Sequence, residues 1–409
     1  MKKEKLSNLC KVSNGFAFKS DDYVGHGYRV MRITNVQKGF VVDNDPKFIP
    51  QEIADKVNGF KLGAGDILIS LTGNVGRVGR VQPQHLPAVL NQRVGLIRPS
   101  SEEINDKYLF QCLNSDKFER EAIQNSNGIA QLNLSSKWIE NYEIPVPPLD
   151  DQVRIAHLLS KVEGLIAQRK QHLQLLDELL KSVFLEMFGD VDGLPTMPLL
   201  SIAAKGKGTF SNGPFGSDLL TSELIGAGVP VVYIRDIREA RYVRVSTVCV
   251  TEEKATELSA CIVQPGDILV AKVGDPPGTT AIYPKGEPIG VMTQDVIRLR
   301  PNTEIVNAEF VSAYLNSHFG RRLIREITVV ATRARFGLRE FKAQEIPIPP
   351  MDLQKKFASI VEKVEDIKSR YQQGLTDLET LYGAVSQQAF KGELDLSRVP
   401  LAVAAAKNK

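Results

Sequence analysis

The sequence predicts an α+β protein built as a tandem repeat. Two globular domains of mixed β structure with helices are separated by two long antiparallel coiled-coil helices, giving an internal pseudo-twofold repeat. Three observations predict this. The stretch that opens IPVPPLDDQVRIAHLLSKV at Ile144 returns as IPIPPMDLQKKFASIVEKV at Ile346, 202 positions later, and aligns without a gap as far as Phe188 and Phe390. Both copies carry apolar residues in a four-three rhythm for over four heptads, a coiled-coil period. Framework segments of the stretches before each copy also repeat, GDIL at Gly65 and Gly266 among them.

The first domain, 1–143, reads as short strands and turns followed by helix: strands at 28–36, after Gly65-Asp66, and at 89–97, then helical spacing of Tyr108, Leu109, Cys112 and Leu113 from Asp106 to about Ile123. The linker and first spacer helix occupy 144–190. Prolines open the segment, because a fixed φ and a missing N–H forbid a helix interior. Asp150 and Asp151 suit the positive end of the helix dipole, and Gly189 is the stop signal. The seam is Ile155, Leu159, Val162, Ile166, Leu173, Leu176, Leu180, Val183 and Met187. The second domain, 191–345, repeats the grammar of the first: Gln294-Asp295-Val296 answers Gln92-Arg93-Val94, and Leu315-Asn316-Ser317 answers Leu113-Asn114-Ser115. The second spacer, 346–392, keeps the seam with Phe357, Val361, Val364, Tyr371, Leu375, Leu378, Tyr382, Val385 and Ala389. Two equal seams in one chain most simply pack on each other, as helices of about 37 residues and ~55 Å. Arg169 and Lys368 interrupt the seams; snorkelling with fixed register is preferred there to a binding role. The tail, 393–409, is expected to fray after Pro400, while 392–400 stands where 189–198 stands before the second domain, so the chain ends should meet.

With 409 residues and 43% hydrophobic content the chain can build real cores. A net charge of +3 and a pI near 8.5 exclude a polycation, so a nucleic-acid surface must come from local clustering. Four cysteines without C-x-x-C or metal-ligand spacing suit a reducing compartment, and no run spans a bilayer, so a cytoplasmic protein with no membrane contact is expected.

No convincing catalytic set emerges. Gly274-Asp275-Pro276-Pro277-Gly278 approaches the D-P-P-aromatic motif of amino-group DNA methyltransferases, but glycine replaces the stacking aromatic, leaving turn chemistry. Gly73, Gly76 and Gly79 lack a dinucleotide fingerprint, Gly206-Lys207-Gly208 lacks the Walker spacing, and the five histidines are scattered. No metal site is expected.

The variable segments are more informative. In 128–136, Ala130, Leu132 and Leu134 alternate with Gln131, Asn133 and Ser135; the second domain offers Arg333 and Arg335 at the corresponding place. Amides suit adenine edges and arginines suit guanine edges in the major groove. The alternative is a half-buried strand with a solvated outer face. Asn74, Arg77, Arg80, Gln92 and Arg93 sit in or beside glycine-rich turns. Lys19, Lys272 and Gln294 are further candidates, and Arg235 and Arg238 belong to a run, with Arg241 and Arg244, that cannot all share one strand face. Seven basic residues between 321 and 342, Arg339 included, suggest phosphate binding.

Two copies of I-P-x-P-P-x-D-x-Q, each opening a long heptad helix that ends near Phe-Gly or Phe-Lys-Gly and each preceded by a GDIL-type domain, resemble the specificity subunit of Type I restriction-modification systems. Asp151 stands where that family often has Glu, and Leu353 and Phe357 also depart from its pattern. The resemblance implies a non-catalytic subunit with two target recognition domains, each reading half of a bipartite double-stranded DNA sequence. It implies two modification (methyltransferase) subunits, docked along the seam helices, that supply S-adenosylmethionine and N6-adenine methylation. It implies restriction subunits, with ATP and Mg, that translocate and cleave; no cofactor is expected in this chain. A spacer of this length would match half-sites one helical turn, ~34 Å, apart. The other readings are a duplicated protein-binding adaptor or inhibitor and a stand-alone DNA-modifying enzyme.

Overall fold

The computed structural model describes residues 1–401 apart from Ile129, Ala130, Val191, Asp192, Phe215 and Ala331. The fraying expected at the C-terminus and the place expected for Ala130 lie outside the described residues. The chain divides into two compact units, Met1–Lys170 with Gly374–Lys409, and Gln171–Gln373.

In the first unit a four-stranded antiparallel sheet has the order Cys10–Asn14, Val94–Pro99, Ile67–Ser70, Val78–Arg80. The GDIL strand lies inside it, and its alternation explains why it reads as continuously apolar. Ile67 and Ile69 face a core shared with the helices Asp106–Leu113 and Asp116–Gln124. Leu68 faces a second core shared with a three-stranded sheet, Phe48–Ile49, Tyr28–Met31 and Ala88–Leu90. The second unit repeats this: Phe210–Asn212, Val296–Leu299, Ile268–Ala271 and Thr280–Ile282 form the antiparallel sheet, with Ile268 and Val270 on one core and Leu269 on the other.

The repeated GDIL segment is a turn with a fixed ionic brace. Gly65 and Gly266 adopt φ of +91° and +90°, a region that disfavours any side chain. The next residue's carboxylate accepts from a backbone N–H three residues earlier, Gly63 for Asp66 and Gln264 for Asp267. It also takes a two-pronged contact from Arg98 or Arg300, with Nε at 2.7 Å in each case.

The long helices run Leu149–Phe188 and Met351–Lys391, 40 and 41 residues. They are a few residues longer than expected, about 60 Å each. The proline-punctuated opening is partly sheet, because Glu143–Pro145 pairs with Lys3–Lys5 and Glu345–Pro347 with Thr196–Pro198. The motif's glutamines then pin each helix start to its own domain. Gln152 is fully buried, accepts from Asn105 N at 2.8 Å and donates to Glu103 O and Pro147 O. Gln354 makes the matching contacts with Asn307 N, Ile305 O and Pro349 O.

The helices pair antiparallel within each unit. In the first, Lys170 meets Glu379 at 2.9 Å and the Tyr382 hydroxyl donates to Glu163 Oε1 at 2.9 Å. In the second, His172 packs on Tyr371 and Phe184 on Phe357. The heptad seam therefore packs helix on helix, as its period predicts. Ile155, Leu159, Val162, Phe357, Val364 and Leu375 are buried within the chain itself. Ile166, Leu173, Leu176, Leu180, Val361, Tyr371, Leu378 and Tyr382 are half-buried. Towards the helix ends the seam packs into domain cores, Ile155 and Leu159 with Ile139 and Ile144, and Phe357 with Phe310. Lys368 does not snorkel. It is 3% exposed and ion-paired to Asp177 and Glu365. Gly392, just past the second long helix, lies against Met1, which a side chain there would strike.

Candidate nucleic-acid interface

In each domain three loops converge at one edge of the four-stranded sheet, held by backbone hydrogen bonds. In the first, the turn 71–77 is tied to the bend 91–93 by Leu71 N to Arg93 O at 3.1 Å. It is tied to the hairpin 127–134 by Gly73 N to Leu132 O at 3.0 Å and Leu134 N to Leu71 O at 2.8 Å. Asn74, Gln92, Arg93 and Gln131 stand exposed there. Lys19 is exposed on the turn beyond Phe16, which pairs with Asn91.

The second domain builds the same cluster from different side chains. Lys272 N donates to Asp295 O at 2.8 Å and Gly274 N to Ala334 O at 3.1 Å, and Arg335 pairs with Val273 as Asn133 pairs with Thr72. Gln294, Arg333 and Arg335 are exposed and Lys272 is half-buried. The alternation in 131–135 thus lies on a loop hairpin rather than a long strand, and the amides of one domain are replaced by arginines in the other. The 274–278 segment is the turn joining Ile268–Ala271 to Thr280–Ile282.

Several candidates engage other groups of the chain. Arg77 is held by Gln37 Oε1 at 3.1 Å and by Glu119, while Arg80 donates to Asp106 and lies over the Phe110 ring. Ser135 caps the helix Ser136–Asn141, accepting from Trp138 N. The Asn133 side chain braces the hairpin, with its Oδ1 accepting from Thr72 Oγ1 at 3.0 Å. Arg235 donates to Ser246 Oγ over the Tyr233 ring, and Arg238 donates to Arg235 O. Arg241 joins the Asp177 and Glu365 carboxylates, and Arg244 joins Glu287.

The basic run 321–342 also divides. Arg321 turns inward to Pro277 O, Thr279 Oγ1 and Asn316 Oδ1, where burial lowers its pKa, and Arg322 pairs with Glu326. Arg339 is exposed on the short helix Leu338–Lys342, at an opening that it lines with Pro198, Leu200 and Lys342. Sequence reasoning had no signal for these commitments beyond charge. The recurrence of Asp66 and Asp267 in the GDIL segments and of Gln152 and Gln354 in the motif copies was visible in the sequence, but their contacts with Arg98, Arg300 and the domain backbones appear only in the structure. Burial pushes the Cys10 thiol up to about 12, so it is packed rather than reactive. Among the described residues no His, Cys, Asp and Glu cluster could hold a metal ion.

Residues 1–177 and 228–378 match the family described as Type I restriction modification DNA specificity domain. The EcoBI specificity subunit of Escherichia coli is 22% identical, over 95% of this chain and 85% of that protein; the EcoKI subunit of the same species is 24% identical over 94% and 85%. The MjaVIII specificity subunit of Methanocaldococcus jannaschii is 27% identical, with the match covering 44% of this chain and 43% of that one. The fold is shared with the crystal structure of a Type I restriction-modification S subunit from M. genitalium, at a TM-score of 0.55, 16% identity and coverage of 95% and 96%. It is also shared with a chain from a structure describing complex assembly of the Type I system, at a TM-score of 0.53, 17% identity and coverage of 96% and 98%. The chain belongs to the family of Type I restriction-modification specificity subunits.

Proposed function

We propose that each loop cluster reads one half of an asymmetric, bipartite double-stranded DNA target, with the paired long helices as the spacer. The observation that carries this reading is the twice-built cluster, in which the backbone pairing is the same and the exposed side chains differ. A shared scaffold with divergent polar tips is what two half-sites of different sequence require. Lys19, Arg93 and Lys272 suit phosphate contacts that set register. Asn74, Gln92 and Gln131 suit adenine edges in the first half-site, and Arg333 and Arg335 suit guanine edges in the second.

In this proposal the chain performs no chemistry. Two modification subunits, holding S-adenosylmethionine, methylate N6 of an adenine that leaves the base stack, and restriction subunits, using ATP and Mg, act on the same complex. Because the buried seam is occupied, the modification subunits are proposed to contact the exposed sides of the helices. Co-expression with the modification subunit, followed by mapping of adenine methylation across the genome, tests the reading. A single bipartite motif is expected, changing in one half only when 191–345 is exchanged. A complex that leaves no motif-specific methylation would overturn it.

A further inference from the structure

The hairpin Thr328–Val329 with Arg335–Phe336 carries an apolar tip. Val330 is 85% exposed and Val329 64%, more than any other large apolar side chain among the described residues. Scattered surface aliphatics are ordinary, but these two are adjacent, at a loop tip, and flanked by exposed basic groups. Val329 lies across the hairpin from Arg335, and both Arg333 and Arg335 are exposed, with no acidic partner among the described residues. The first domain has Asn127 and Gly128 at the same places, with Asn127 paired to Asn133 as Val329 is paired to Arg335. Val329 and Val330 thus stand where the first domain has Asn127 and Gly128, on a hairpin with the same backbone pairing.

A tip that is aliphatic at its end and cationic at its base fits a surface where an apolar group projects between strong acceptors, within reach of phosphates. The major groove offers that arrangement: thymine presents a 5-methyl group there, and guanine presents N7 and O6. We propose that Val329 and Val330 form an apolar finger that contacts the 5-methyl group of a thymine in the second half-site. This rests on the DNA-reading proposal above and deepens it. Cross-strand neighbours lie about 5 Å apart and base pairs about 3.4 Å apart. The thymine therefore lies within about two base pairs of the guanine that Arg335 contacts.

The test uses the full chain in complex with its modification subunit, and duplexes bearing the methylated motif in which each thymine is replaced in turn by deoxyuridine, which lacks only the methyl. Binding is read by fluorescence anisotropy. One replacement in the second half-site is expected to weaken binding about fourfold, the value of one buried methyl-sized group. That sensitivity should disappear in the Val329→Ala, Val330→Ala double variant, whose changes are at exposed positions. Three results would overturn the finger: a second half-site without thymine, no deoxyuridine position that weakens the wild-type complex, or a double variant that keeps the full fourfold response. A wild-type complex that binds the motif no better than a scrambled duplex would instead remove the DNA reading itself.

Discussion

Replacing Gln152 with Leu should unfasten the first long helix from its domain. The side chain is fully buried and makes three hydrogen bonds, to Asn105 N at 2.8 Å, Glu103 O at 2.8 Å and Pro147 O at 2.9 Å. Leucine has nearly the same volume and so leaves little cavity, but it strands one backbone donor and two acceptors. Each stranded group costs about 1–3 kcal/mol, partly offset by the more apolar side chain, for a net loss of about 2–4 kcal/mol. With a urea slope of about 2 kcal/mol per molar, the midpoint should fall by roughly 1–2 M. The assay is intrinsic tryptophan fluorescence, because the chain has one tryptophan, Trp138, which packs against Phe118 and Tyr142 of the same unit. Gln354→Leu removes the matching anchor and serves as the paired variant, with its smaller effect on the Trp138 signal and a comparable loss by circular dichroism. A Gln152→Leu midpoint within 0.2 M of wild type would refute the view that this glutamine is an anchor.

Arg300→Ala leaves the Asp267 carboxylate, 1% exposed, without its cation, and should cost about 3 kcal/mol in urea unfolding; an unchanged midpoint would show the brace to be dispensable. Burial, with Asp177 nearby, raises the pKa of Glu365 despite Arg241. A raised carboxyl pKa contributes stability that is present below the unfolded value, about 4.5, and lost as pH rises through the folded one. Glu365→Gln lacks that loss, so its urea midpoint should improve relative to wild type between pH 4.5 and 7; a constant difference would count against the shift. Arg335→Ala should weaken target binding about 10-fold to 100-fold, and the loss should vanish on DNA already altered in the second half-site. A loss that persists on DNA altered in the second half-site and vanishes on DNA altered in the first would assign Arg335 to the other half-site.

The long helices, their pairing and the tandem order were legible because heptad periodicity and a gapless repeat are local properties of the sequence, preserved whatever the chain packs against. The GDIL strands were legible for the same reason, although their burial on both faces shows only in the structure, where Ile67 and Leu68 enter different cores. The candidate interface was legible in part. The segment with Gln131 and Asn133 was placed opposite that with Arg333 and Arg335, and the bridges of Asn133 to Thr72 and of Arg335 to Val273 agree with that correspondence.

Charge alone could not say which basic residues are available. Arg80 is neutralised by Asp106, 26 positions away, and Arg241 by Asp177 and Glu365, 64 and 124 positions away. Such partners meet only when strands and helices have packed. By itself the sequence determined the architecture and the family, because both rest on short-range pattern and repetition. The tertiary structure decided which side of each helix is spent on the chain's own core. It also decided which cations are spent on its own carboxylates, because ion pairing and burial depend on neighbours that the order of residues does not reveal.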